Sequence, residues 1–173
     1  MEVVQGPDNN REERLNHMVW RHEKDLLRMC AIYLRDISLA QDAVQETFLR
    51  AYKGLSSFRE GSSEKTWLAY IAMNVCRDFR RNAWYRFVDR RVSLDNLPIP
   101  SAPPSLEHIA LTTEIMRLPR KHMEVVMLYY YEGMTIREIA QVLGISLPAV
   151  SQRLHKAKSR LHDALEGGDG YER

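Results

Sequence analysis

Between Val88 and Ser105 the helical periodicity that governs the rest of this chain fails, and that interruption sets what the chain can fold into. Pro98, Pro100, Pro103 and Pro104, with Ser93, Ser101 and Ser105, make an extended stretch. Each proline removes a backbone donor and pushes the residue before it away from helix. On either side, apolar residues recur at three- and four-residue spacing, and no segment alternates long enough to make a convincing strand. The expectation is an all-α chain of two small helical domains, residues 10–87 and 105–166, joined by a Pro-rich linker, residues 88–104.

The second domain ends in two amphipathic patterns that meet at a tight corner. Thr135-Ile-Arg-Glu138 has capping-box spacing, so the threonine hydroxyl and the glutamate carboxylate can each satisfy an orphan amide. Ile136, Ile139, Ala140 and Leu143 follow on one face, and Gly144 supplies the backbone freedom of a helix stop. Across the corner Gly144-Ile-Ser-Leu147, Ser146 is an N-cap and Pro148 falls in the first turn, where its missing amide costs nothing. In the next helix Val150, Leu154, Ala157 and Leu161 define the buried side. Gln152, His155, Lys156 and Ser159 face outward, Ser151 lies at the edge, and Arg153, Lys158 and Arg160 flank them, with no acid between Ser146 and His162. Groups able to bond base edges thus occupy the centre and cations occupy the positions where phosphates would pass. A basic, solvated surface helix has the same composition. The capped partner helix and the corner favour a helix-turn-helix that reads duplex DNA.

Upstream, Ser105 caps a helix carrying Ile109, Thr112, Ile115 and Met116. Leu118-Pro119 breaks the chain. Met123, Val126, Met127 and Tyr130 then form the stripe of another helix, which Gly133 ends. Net charge is only +2 over 173 residues, so nucleic-acid binding must come from local segregation of charge. Glu2, Asp8 and Arg11 stand where a signal peptide needs an apolar core, and no run is long enough to span a bilayer. A cytoplasmic chain without membrane insertion is expected. Cys30 and Cys76 are too few and too distant for a zinc module and read as buried thiols, while the five-residue spacing of His17 and His22 marks surface residues. No metal or cofactor is expected.

In the first domain, Leu15, Met18, Val19, Leu26, Leu27, Cys30 and Leu34 describe one long helix or two in succession. Ser38 with Gln41 has the spacing to start the next helix, which runs to Gly54 with Ala40, Ala43, Val44, Phe48 and Ala51 inward. Gln41, Asp42, Gln45, Glu46 and Arg50 face outward, either as a solvated surface or as a docking face. After the loop Leu55–Ser63, Trp67, Leu68, Ile71, Ala72, Val75 and Phe79 give a third stripe. Arg77, Arg80, Arg81, Arg86, Arg90 and Arg91 then interleave with Phe79, Trp84, Tyr85 and Phe87. Cations with stackable rings suit unpaired nucleic acid, and arginines snorkelling around a helix end would look the same.

Two sets of residues, one on each side of the linker, carry a family resemblance. Gln41-Asp-Ala-Val-Gln-Glu-Thr-Phe-Leu-Arg-Ala-Tyr52, Phe58-Arg-Glu-Gly-Ser-Ser63, Thr66-Trp-Leu68, Ile71-Ala72, Asn74 and Arg77-Asp78 resemble region 2 of bacterial sigma factors, best in the extracytoplasmic-function group. Leu118-Pro-Arg-Lys-His-Met-Glu-Val-Val-Met-Leu128, Glu132-Gly133, Glu138-Ile-Ala140, Leu143-Gly144, Val150 and Arg153-Leu-His-Lys-Ala157 are similar to region 4 of the same group. The resemblance implies a dissociable initiation subunit with no catalytic site, which binds core RNA polymerase and promoter DNA and is held silent by an anti-sigma factor. It implies that Asp42, Gln45 and Glu46 dock on the polymerase. It implies that Phe58, Ser62, Ser63, Asn74, Arg77, Arg80 and Arg81 hold the melted minus-ten element, and that the linker threads through the polymerase. Ser151, Gln152, Arg153, His155, Lys156, Lys158 and Arg160 would read the minus-thirty-five element as duplex.

This chain departs from the family pattern at two places. Glu64 stands where an apolar residue often follows the loop serine, and Ser151-Gln152 replaces the more usual basic residue and serine. Two rival classes remain open at this level. A stand-alone helix-turn-helix repressor or activator would leave the first domain without a role. A nucleic-acid enzyme needs converging carboxylates, and only Asp42 and Glu46 offer a pair.

Overall fold

The computed structural model describes residues 7–58, 61–82 and 106–167, with side chains for 9–58, 61–82 and 109–167. The linker, the cap at Ser105, Arg59-Glu60 and the cation-aromatic run from Trp84 to Arg91 lie outside the described residues. The described residues form seven α-helices and no strand: α1 (Pro7–Leu34), α2 (Ile37–Gly54), α3 (Glu64–Arg81), α4 (Leu106–Arg117), α5 (Arg120–Val126), α6 (Ile136–Leu143) and α7 (Leu147–Glu166). The all-α expectation holds.

One uninterrupted helix of 28 residues accounts for the first stripe; after Pro7 no glycine or proline interrupts it. Arg35 then takes a left-handed backbone, φ 56°, and reverses the chain within two residues. Asp36 follows with an extended backbone, and its Oδ1 accepts from the Leu39 amide at 2.8 Å. The N-cap of α2 is therefore Asp36, and Ser38 lies inside the first turn. A cap needs an extended backbone, and the left-handed Arg35 creates one two residues earlier than the capping-box spacing suggested. The tight reversal lays α2 against α1, and α3 packs across both. Met18, Met29, Cys30, Tyr33, Ala40, Val44, Leu68, Ala72, Met73 and Cys76 form their shared core, and both thiols are free and buried. Burying a side chain the size of Leu or Met contributes about 1.5–3 kcal/mol.

In the second half α7 packs against α4, α5 and α6. Leu118, Met123, Val126, Met127, Ile139, Val142, Leu143, Val150, Leu154, Ala157 and Leu161 fill the space between them. α5 does not run regularly to Gly133. It passes into a π turn over Met127–Tyr131, in which the Glu132 amide bonds the Met127 carbonyl at 3.3 Å. The extra residue per turn rotates everything after it. Tyr130, expected on the inner stripe, is consequently 55% exposed, and Glu132 is carried inward to 4%.

The two halves touch. α3 lies on α6, and α1 meets α5 and the π turn. The buried apolar residues of both halves join in one continuous core, and polar links cross the contact beside it. Arg77 Nη2 reaches Glu124 Oε2 at 3.4 Å, Lys65 Nζ reaches Glu132 Oε2 at 3.6 Å, and Arg28 Nη2 donates to the Tyr131 carbonyl at 3.3 Å. The Thr66 hydroxyl donates to Glu138 Oε1 at 3.5 Å.

Candidate nucleic-acid interface

The corner between α6 and α7 is built as its residues dictate. The Glu138 amide donates to Thr135 Oγ1 at 3.2 Å while Glu138 Oε2 accepts from the Thr135 amide at 2.8 Å, closing the capping box. Gly144 ends α6 in the left-handed region, φ 65° and ψ 38°, a conformation that a Cβ would strain. Ser146 Oγ then accepts from the Ala149 amide at 3.3 Å, and Pro148 sits in the first turn of α7.

Helix α7 buries Val150, Leu154, Ala157 and Leu161 against the other three helices. Ser151, Gln152, His155, Lys156, Lys158 and Arg160 are exposed, and Arg153 is half-buried on the flank. These seven residues thus line the outer side of one anchored helix. The Lys158 ammonium lies 5.5 Å from the Tyr129 ring centre and 5.8 Å from that of Tyr130, so the π turn anchors it from behind. Beneath the helix His122 is buried, and its pKa is lowered, first by desolvation and then by the fields of Arg160, Lys121, Lys156 and Arg153. Four cations acting on one imidazole identify a positively charged surface. Exposed Lys121 belongs to it although the sequence reading gave it no role; its signal was only its place beside His122.

On α2, Asp42 and Gln45 are exposed and Glu46 is half-buried. Arg50 Nε donates to Glu46 Oε1 at 2.8 Å, and Arg50 Nη1 donates to Asp78 Oδ2 at 3.0 Å. These hydrogen bonds raise the Arg50 pKa above its ordinary value and tie the α2 face to the basic end of α3. Leu49, 56% exposed, joins the same face one turn beyond Gln45. The sequence reading passed over it, since the adjacent Phe48 already filled the inward stripe.

The loop and α3 hold the remaining candidates. The Phe58 ring packs on Trp67 with centroids 4.7 Å apart, and the Arg14 guanidinium lies over Phe58. Ser62 lines a groove of about 420 Å³ whose walls also include Phe58, Trp67 and Tyr70 and, from α6, Gln141 and Val142. Ser63 Oγ accepts from the Thr66 amide at 3.1 Å and caps α3, so that lone pair is already committed to the helix. Asn74, Arg77 and Arg81 share one side of α3. Arg81 pairs with Asp78 at 3.5 Å, while Arg80 lies over the Tyr33 ring at 5.5 Å. Arg77 is half-buried and is held by Glu124 from the other half of the chain.

Two positions flagged in the sequence interact with each other. His22 is not a surface residue. Its Nε2 lies 3.2 Å from Glu64 Oε1, and the histidine side chain is 16% exposed. Glu64 thus opens α3 and pins it to α1, where an apolar residue was the family expectation. Among the described residues no cluster of histidine, cysteine or carboxylate side chains is arranged to hold a metal ion. No described helix is long and apolar enough to cross a membrane.

Comparison with known proteins places both halves. The Sigma-70 region 2 profile matches residues 18–86, and the Sigma-70 region 4 profile matches residues 108–161. The ECF RNA polymerase sigma factor SigM of Mycobacterium tuberculosis is 30% identical over 142 residues, covering 82% of this chain and 71% of that protein. The probable RNA polymerase sigma factor RfaY of Xanthomonas campestris pv. campestris is 32% identical over 140 residues, covering 76% of this chain; the chain spans only 35% of that longer protein. Among solved structures, CnrH in complex with the cytosolic domain of CnrY superposes with a TM-score of 0.69 at 26% identity, over 90% of each chain. The chain belongs to the sigma-70 family, in the extracytoplasmic-function group of RNA polymerase sigma factors.

Proposed function

We propose that this chain is an alternative sigma factor: it binds core RNA polymerase, directs it to a promoter and supports melting and initiation. The observation that carries the reading is the occurrence of region 2 and region 4, in that order, on one chain. A stand-alone repressor would need the helix-turn-helix and nothing like the first three helices. Chemistry is left to the polymerase, and the chain contributes binding energy and orientation.

In this reading residues 10–87 act as region 2, residues 88–104 as the linker and residues 105–166 as region 4. Asp42, Gln45 and Glu46, with Leu49 as an apolar anchor, form the polymerase-docking face. The loop at Phe58, Ser62 and Ser63 and the basic side of α3, Asn74, Arg77, Arg80 and Arg81, engage the melted minus-ten strand, with cations meeting phosphates and rings meeting bases. Exposed Ser151, Gln152, His155 and Lys156 enter the major groove of the minus-thirty-five duplex, and Arg153, Lys158 and Arg160 meet its phosphates. CnrH is described in complex with the cytosolic domain of CnrY, which supports an anti-sigma partner for this chain. The chain acts in the cytoplasm, where its polymerase is.

Titration of the labelled full chain with core polymerase tests the docking face. Specific binding that falls about tenfold in Asp42→Ala/Glu46→Ala, with helicity unchanged, supports it; equal binding by the double variant removes α2 from the interface.

A further inference from the structure

We propose, resting on the sigma reading, that Arg50 is a positioning residue for the minus-ten face. Reaching across from α2, it neutralises an acid that stands among the DNA-binding side chains of α3, and so leaves the Arg81 guanidinium to the melted strand.

That acid is Asp78, and its charge is out of place. It lies one position after Arg77, one turn after Asn74 and one turn before Arg81, on the side of α3 that the sigma reading gives to the melted strand. A carboxylate there repels phosphate and competes with it for the neighbouring cations. Arg81 is within its reach: Nη2 lies 3.5 Å from Asp78 Oδ1. The other carboxylate oxygen is engaged from outside the helix, where Arg50 Nη1 donates to Oδ2 at 3.0 Å. The shorter, hydrogen-bonded contact is the stronger one, so Asp78 is committed first to Arg50. The Arg81 side chain is 76% exposed, and its guanidinium is open to a phosphate.

Arg50 is aimed by its own helix. Glu46, one turn earlier, accepts from Arg50 Nε at 2.8 Å, which fixes the plane of the guanidinium and directs Nη1 at α3. A planar fork can hold two carboxylates in fixed directions, whereas the single ammonium of a lysine cannot. All three side chains of this bridge are between 37% and 45% exposed. Ion pairs so open to solvent contribute little to stability, so the value of the bridge lies in where it puts charge. Asp78 is 28 residues from Arg50, and only the packing of α3 on α2 brings the two together.

The test uses holoenzyme assembled from the full chain and core polymerase. Its probe is the promoter selected with that holoenzyme, mismatched over the minus-ten element so that the strand is already open. Arg50→Gln leaves core affinity and helicity unchanged. It lowers affinity for the probe about fivefold and makes the slope of log affinity against log salt shallower by about 0.7, the share of one single-strand phosphate contact. Arg50→Gln/Asp78→Asn restores both quantities, because the acid that captured Arg81 is gone. In an Arg81→Ala background Arg50→Gln costs nothing further. A bridge that only braced the fold would instead lower helicity and core affinity together with probe binding, and Asp78→Asn would not restore the salt slope. That pattern would overturn the proposal, as would Arg50→Gln binding the probe like wild type or an undiminished loss in the Arg81→Ala background. Failure of the sigma reading looks different: wild-type holoenzyme then selects no promoter at all.

Discussion

Gln152 and Lys158 stand on the same helix but ask different questions of DNA. Gln152 is exposed at the outer centre of α7, where its amide can bond an adenine edge in two places. Gln152→Ala therefore weakens binding to the cognate promoter by about 1–3 kcal/mol while leaving random duplex unaffected. Lys158, anchored over Tyr129 and Tyr130, meets phosphate in this account. Lys158→Ala weakens both kinds of DNA alike and reduces the slope of log affinity against log salt by about 1. Equal losses on both duplexes for Gln152→Ala would remove it from base reading. The outward position of these residues was legible because Val150, Leu154, Ala157 and Leu161 fix the helix rotation. The commitment of Arg77 to Glu124 was not, since a guanidinium reveals a distant partner only when the chain is folded.

At the scale of the element, local signals read well wherever the partners lie within one turn. The capping box at Thr135 and Glu138, the left-handed Gly144 and the Ser146 cap all formed as their spacing predicts. Gly144→Ala places a Cβ at φ 65° and destabilises the chain by about 1–2 kcal/mol. Ser146→Ala removes one cap bond and lowers stability by about 1 kcal/mol. Thermal melts of the two variants check both; a neutral Gly144→Ala would contradict the corner geometry. Two elements were not legible. The start of α2 depends on Arg35 adopting a left-handed backbone, which an arginine does not announce. The π turn after Val126 depends on how Glu132 and the tyrosines meet α1 and α7, so the 3.6-residue period misplaced Tyr130.

The whole molecule adds what neither half contains. Arg77 and Glu124 are 47 residues apart; in the sequence Arg77 reads as a cation for the melted strand and Glu124 has no role, so the contact between the halves had no local signature. It carries a pH dependence with a definite sign. Glu132 is raised from 4.5 to about 7 in the closed chain, by burial first, with Asp25 adding to the shift and Lys65 and Arg28 opposing it. Closed molecules therefore retain a proton that open ones release between those values. Closure is strongest below about pH 4.5 and loses this contribution as pH rises through 7. Scattering across that range shows expansion with rising pH in wild type and a flatter profile in Glu132→Gln; identical profiles would contradict the assignment. The central claim concerns what the two halves do together on a polymerase. The measurement that tests it most directly is transcription in vitro from a promoter selected with the reconstituted holoenzyme. The account predicts specific transcripts that require both core polymerase and this chain, and tight autonomous binding to a duplex operator with no effect on initiation would contradict it.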